Sequence, residues 1–200
     1  SGSVYGVKDE PEVTEELALV PLSDYNKTKM VSERVLLSYQ DRILIQCVRP
    51  ATVCGYSPRM RLDLSVNMLT MQALAKGEIT VLGGDQTRPN INLKDMVGVY
   101  LYLLAMGGKM KGVYNAGFEN LSIMDIARRI VSFIPATITL SASNDPRSYR
   151  LSSKKLLAAG FKPRYCVDDA IKELISAFRE GTLKDEDRWY NIKTMKHMKF

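Results

Sequence analysis

Tyr25 and Lys29, in the run Tyr25-Asn-Lys-Thr-Lys29, stand four residues apart. On a helix that spacing places both side chains on one face, about one turn apart. A free phenol titrates near 10, too high to exchange protons at neutral pH, and an ammonium beside it stabilises the phenolate. Such a pair can act as general acid and base in interconverting an alcohol and a ketone. Few other residue sets here could do chemistry. The single histidine, His197, is close to the end of the sequence, which excludes a Ser-His-Asp triad and a histidine-ligated metal site. Cys47, Cys54 and Cys166 are odd in number and form no CxxC pair, so neither a disulfide framework nor a zinc knuckle is expected. Six cations without a carboxylate lie between Asp145 and Asp168 (Arg147, Arg150, Lys154, Lys155, Lys162 and Arg164), a cluster that suits an anionic partner or a solvated face.

Side chains so spaced need a scaffold, and the apolar pattern supplies one. Short apolar runs alternate with amphipathic stretches, the signature of an α/β chain. Ser23 or Asp24 can cap a helix from Tyr25 to about Tyr39. Ile43–Val48 reads as a strand buried on both faces of a parallel sheet. A second helix starts at Asp63 or Ser65 and closes at Gly77, followed by a strand over Ile79–Leu82. Helix Lys94–Met106, strand Gly112–Asn115, a helix capped by Ser122 and ending before Pro135, and strand Ile138–Leu140 come next. Helices open at Ser152 and Val167 and close at Gly160 and Gly181; the tail from Thr182 carries an isolated Trp189-Tyr190 pair. Val4-Tyr5-Gly6 reads as a strand end and turn. With too few strands to flank a parallel sheet, the sequence reads as the later part of a longer chain.

Composition sets outer bounds. Of 200 residues 46% are hydrophobic and 25% charged, which excludes a disordered or collagen-like polymer. No apolar run approaches eighteen residues, so no membrane span is expected, and with no secretory signal in view the cytoplasm is the expected compartment. The 28 basic residues against 22 acidic ones give a net charge of +6. The acidic residues Asp9, Glu10, Glu12, Glu15 and Glu16 gather near the start.

Several motifs follow in order: Ser1-Gly-Ser-Val-Tyr5-Gly6, then Tyr25-x-x-x-Lys29, then Arg49-Pro-Ala-Thr-Val-Cys-Gly55. After them come Gly83-Gly-Asp-Gln-Thr-Arg88, Tyr114-Asn-Ala-Gly117, and Asp145-Pro-Arg147-Ser-Tyr149 before Gly160-Phe-Lys-Pro163. This ordered set resembles the extended short-chain dehydrogenase/reductase family of nucleotide-sugar epimerases, dehydratases and reductases. The resemblance implies an α/β fold: the C-terminal part of a Rossmann-type doubly wound parallel sheet plus a small α/β substrate-binding domain. By that likeness residues 1–60 end the Rossmann-type domain and 61–90 form a substrate-binding segment. Residues 91–118 return to the sheet, 119–181 form the C-terminal substrate domain and 182–200 a tail.

The resemblance also implies roles. Ser1 would hydrogen-bond the reacting sugar oxygen, Tyr25 would transfer its proton, and Lys29 would bind the nicotinamide ribose and tune the tyrosine. Pro50, Ala51 and Val53 would pass beside the nicotinamide of NAD, with NADP as an alternative. Asn67, Arg88 and Arg147 would hold the diphosphate of a nucleotide-diphosphate sugar, the arginines through bidentate guanidinium contacts. A homodimer is possible; nucleic acid, membrane and metal are not expected partners. The family's dehydratases carry Asp-Glu directly after the catalytic hydroxyl residue, where this chain has Gly2 and Ser3. The resemblance therefore points to an epimerase or 4-keto-sugar reductase. Pro89 and Asn92 depart from the commoner Asp and His, which leaves the sugar open. The glycine-rich dinucleotide loop is nowhere in the sequence, so about four βα units, on the order of 120 residues, are expected to precede Ser1. The alternative is a noncatalytic nucleotide-sugar-binding or regulatory module of the same fold.

Overall fold

The computed structural model describes residues 1–143 and 148–198. Strand β1 (Gln46–Pro50) pairs in parallel with β5 (Gly112–Ala116), from Gln46 opposite Gly112 to Pro50 opposite Ala116. Residues on β1 alternate between faces, and each face fastens one helix. The Gln46 amide donates to the carbonyls of Leu103, Gly107 and Met110, at the end of α3 (Leu93–Met106) and just beyond it. On the other face Arg49 donates two hydrogen bonds to Glu33 of α1 (Asp24–Leu37). Val4, Tyr5, Ile91, Val99, Leu103 and Tyr114 are buried together around this pair of strands.

Beyond Pro50 the chain enters a second, three-stranded sheet. Strand β4 (Thr87–Asn92) lies in its middle, parallel to β2 (Thr52–Cys54) and antiparallel to β6 (Glu119–Ser122). A third pair, β3 (Glu78–Leu82) with β7 (Thr137–Ser141), is parallel and in register from Glu78–Thr137 to Leu82–Ser141. Helices α2 (Ser65–Lys76) and α4 (Ile123–Phe133) pack on β3, and α6 (Val167–Arg179) packs on both helices and on β4, burying Leu69, Ile79, Val81, Ile126, Ile130 and Ile171. A short α5 (Lys154–Ala158) and a terminal α7 (Asn191–His197) complete the chain.

Local chemistry accounts for the helix ends. Ser23 accepts the Asn26 amide and Ser122 the Asp125 amide, which satisfies donors that have no intrahelical partner. Gly77 closes α2 at φ 65°, the left-handed conformation that a side chain disfavours. At Cys166 a capping box forms with Asp169. The Asp169 carboxyl is held below its ordinary range by the Cys166 amide and thiol.

Four features differ from the sequence reading. The strand expected over Ile43–Val48 starts at Gln46 and runs to Pro50, because Ile43 and Leu44 stay exposed in the connection from α1. Val4-Tyr5-Gly6 is not a strand end: Gly2–Tyr5 form one 3-10 turn. The helix expected from Ser152 spans only Lys154–Ala158. Strands β2, β4 and β6 were not expected, since their sequences (TVC, TRPNIN, ENLS) carry little apolar alternation.

Candidate active site

Tyr25 is the second residue of α1, 60% exposed, with the Lys29 ammonium 5.4 Å from its ring centroid. The helical spacing thus delivers the expected pair on one face. Behind it, Arg49, Glu33, Tyr5 and Asn115 form a buried network that fixes α1 against β1. Arg49 donates to the Tyr5 hydroxyl at 2.6 Å, and that hydroxyl donates to Asn115 at 2.8 Å. The Asn115 amide in turn donates to the carbonyls of Val13 and Ser152. Burial opposes the charge on Arg49, yet the Glu33 carboxylate and the Tyr5 hydroxyl outweigh it and raise its pKa above the ordinary value. Burial pushes the Tyr5 hydroxyl up as well, which keeps it a neutral donor.

The 3-10 turn carrying Ser1 lies over the end of β1. Ser1 Oγ is 2.8 Å from Ser3 Oγ, which donates to Asn26 Oδ1 at 2.7 Å. Glycine at position 2 permits this approach, since a Cβ there would sit 2.9 Å from the Pro50 carbonyl oxygen. Gly6 ends the turn at φ 75°, and its Cβ would overlap the Val20 carbonyl at 2.1 Å.

Ser1, Tyr25 and Lys29 line one open cleft of about 890 Å³, with Pro50, Ala51 and Val53 along its wall. A second cleft of about 360 Å³ contains Arg88, Ser65 and Gln86, and shares Ser3, Asn26, Thr52, Leu64 and Tyr149 with the first. The two are therefore one continuous groove, with the Tyr–Lys pair and Arg88 in its two halves. Ser3, Asn26 and Tyr149 are lining residues that the sequence reading gave no role. Each had a local signal: Ser3 and Tyr149 stand inside the ordered motifs, and Asn26 is the neighbour of Tyr25 on the same helix.

Other expected residues have different surroundings. Asn67 is 3% exposed and lines neither cleft; its Oδ1 accepts the Gly55 amide and its Nδ2 donates to the Arg61 carbonyl. Its side chain is spent on the backbone, where it ties the loop after β2 to α2. Arg147 lies outside the described residues. Four cations of the stretch, Lys154, Lys155, Lys162 and Arg164, are dispersed. Lys154 pairs with Glu12 at 2.7 Å, and Lys155 donates to the Val113 carbonyl. Lys162 and Arg164 line a separate groove with Tyr102 and Phe161. Asn92 caps α3 and donates to the Cys166 carbonyl. Buried Cys54 has its thiol pushed up to about 12 by burial, so it packs as a neutral group. Among the described residues no His, Cys, Asp and Glu side chains cluster as a metal site, and no helix is long and apolar enough to cross a membrane.

The chain is 28% identical over 197 residues to a UDP-glucose 4-epimerase of Lactobacillus helveticus, covering 86% of this chain and 60% of that protein. It is 24% identical to the dTDP-D-glucose 4,6-dehydratase of Mus musculus, covering 95% of this chain and 56% of that one. Among solved structures, the UDP-glucuronic acid 4-epimerase of Bacillus cereus, crystallised with UDP-glucuronic acid and NAD, superposes with a TM-score of 0.76 at 28% identity. That match covers 89% of this chain and 59% of the crystallised one. The chain thus spans about 60% of the length of these relatives. The model of the NAD dependent epimerase/dehydratase family matches residues 1–117, and the chain belongs to that family.

Proposed function

We propose that this chain carries the catalytic and sugar-binding part of an NAD-dependent nucleotide-sugar 4-epimerase. The observation that carries the reading is the convergence of Ser1, Tyr25, Lys29 and the Pro50–Val53 wall on one cleft continuous with Arg88. The backbone and small side chains of that wall, with the Lys29 ammonium of α1 in the same cleft, suit a flat carboxamide ring and a ribose diol. The residues present therefore fit the nicotinamide end of NAD, while the sequence contains no glycine-rich loop for the pyrophosphate. Bound NAD supplies the hydride acceptor and donor at the sugar carbon.

The protein's own groups do the rest. Tyr25 takes the proton of the sugar hydroxyl as the carbon is oxidised and returns it when the ketone is reduced. Ser1 holds that oxygen beside the tyrosine, and Lys29 steadies the phenolate. Arg88 holds the diphosphate, so the sugar can turn over within the groove while its nucleotide stays anchored. Return of hydride to the opposite face then inverts the carbon.

Dehydration needs a further acid beside the hydroxyl residue. At position 2 any side chain would press on the Pro50 carbonyl, and position 3 carries a serine whose hydroxyl is engaged with Ser1 and Asn26. The full natural chain should interconvert 4-epimers of a UDP-hexose or UDP-hexuronate. Tyr25→Phe should abolish turnover while calorimetry still shows UDP-sugar binding; retained turnover would refute the assignment.

A further inference from the structure

Asn26 is one of two buried residues on α1, at 6% exposure, and it lines both halves of the groove. It immediately follows the tyrosine base, yet its side chain is turned toward the turn that carries Ser1. Ser3 donates its hydroxyl proton to Asn26 Oδ1 at 2.7 Å. A hydroxyl has one proton, so the 2.8 Å contact between Ser3 and Ser1 has Ser1 as the donor. Ser3, held by Asn26, thus accepts from Ser1 at the groove wall, and the Ser1 hydroxyl can turn that proton to the sugar oxygen as the oxygen's own proton passes to Tyr25.

We infer that Asn26 is a positioning residue, which through Ser3 fixes the place of Ser1 relative to Tyr25. The inference deepens the epimerase reading and rests on it. Because residues 25 and 26 share one helical turn, the base and the anchor of its partner hydroxyl move as a unit. Both reach the sugar oxygen from a frame held by the Glu33–Arg49 pair.

A mutant cycle in the full natural chain tests this. Asn26→Ala should lower kcat roughly tenfold, the effect of one hydrogen bond that orients a reacting group. KM for the UDP-sugar should stay within about twofold, since diphosphate anchoring is untouched. Ser3→Ala should give the same signature, and supplies the answer if Asn26→Ala folds poorly. In a Ser1→Ala background Asn26→Ala should have no further effect on kcat. A multiplicative loss in that background, or an unchanged kcat in both Asn26→Ala and Ser3→Ala, would overturn the inference. Tyr25→Phe run alongside separates the two claims. If it retains turnover, the epimerase reading fails; if it is inactive while Asn26→Ala is not impaired, only the positioning role fails.

Discussion

Arg49 illustrates how one residue can serve the site without touching a substrate. Its guanidinium and the Glu33 carboxylate are both almost fully buried, and each is tolerable there only because the other is present. Glu33→Ala leaves a buried cation unpaired and should cost about 3–5 kcal/mol of stability, read by chemical denaturation. Substituting both by apolar residues of similar volume should cost less than this single change. Arg88 belongs to a different class. The proposed contact to the diphosphate exists equally in the ground and transition states, so Arg88→Ala should raise KM roughly ten- to a hundredfold and change kcat little. A fall in kcat at constant KM would place Arg88 at the reacting carbon instead.

At the scale of elements, the tail is held to the core by a titratable contact. The Leu62 amide donates to the Trp189 carbonyl, and Asp63 accepts the Asn191 amide and two bonds from Arg61. Burial raises the Asp63 pKa, but Arg61 and the Asn191 amide outweigh it and leave the carboxyl below its ordinary value. A depressed folded-state pKa gives stability that is complete above the unfolded value and is lost as pH falls through the folded one. The tail should therefore loosen below about pH 4, reported by the fluorescence of Trp189, the single tryptophan. Asp63→Asn should remove that acid transition; an unaltered transition would show that other carboxyls hold the tail. The same scale shows what a sequence can reveal. Ser23, Gly77 and Ser122 announce α1, α2 and α4 because caps act within four residues. Strand β4 stayed hidden because Pro89, Asn90 and Asn92 read as loop residues; it is a strand because β2 and β6 flank it and bury it. The Tyr25–Lys29 pair was legible from its helical period. The chain from Asn26 through Ser3 to Ser1 spans 23 residues in its longer link, and no periodicity encodes such a contact.

For the molecule as a whole, the net charge of +6 does not form one anionic docking face. Among the described residues of the stretch after Asp145, Lys154, Lys155, Lys162 and Arg164 divide between Glu12, a backbone carbonyl and a separate groove, so these four form no continuous track for a phosphate backbone. Mobility-shift assays at low salt should show no affinity for DNA or RNA that falls steeply with added salt. What the fold does concentrate is the groove, with the Tyr–Lys pair in one half and Arg88 in the other. The most direct test of that account is label transfer in the full natural chain, supplied with NAD and a UDP-sugar deuterated at C4. The account predicts that the deuterium is recovered at C4 of the inverted sugar, and that Tyr25→Phe yields no inverted product. Loss of the label from C4, or its appearance at C6 with solvent hydrogen at C5, would contradict epimerisation and point to a dehydratase or reductase.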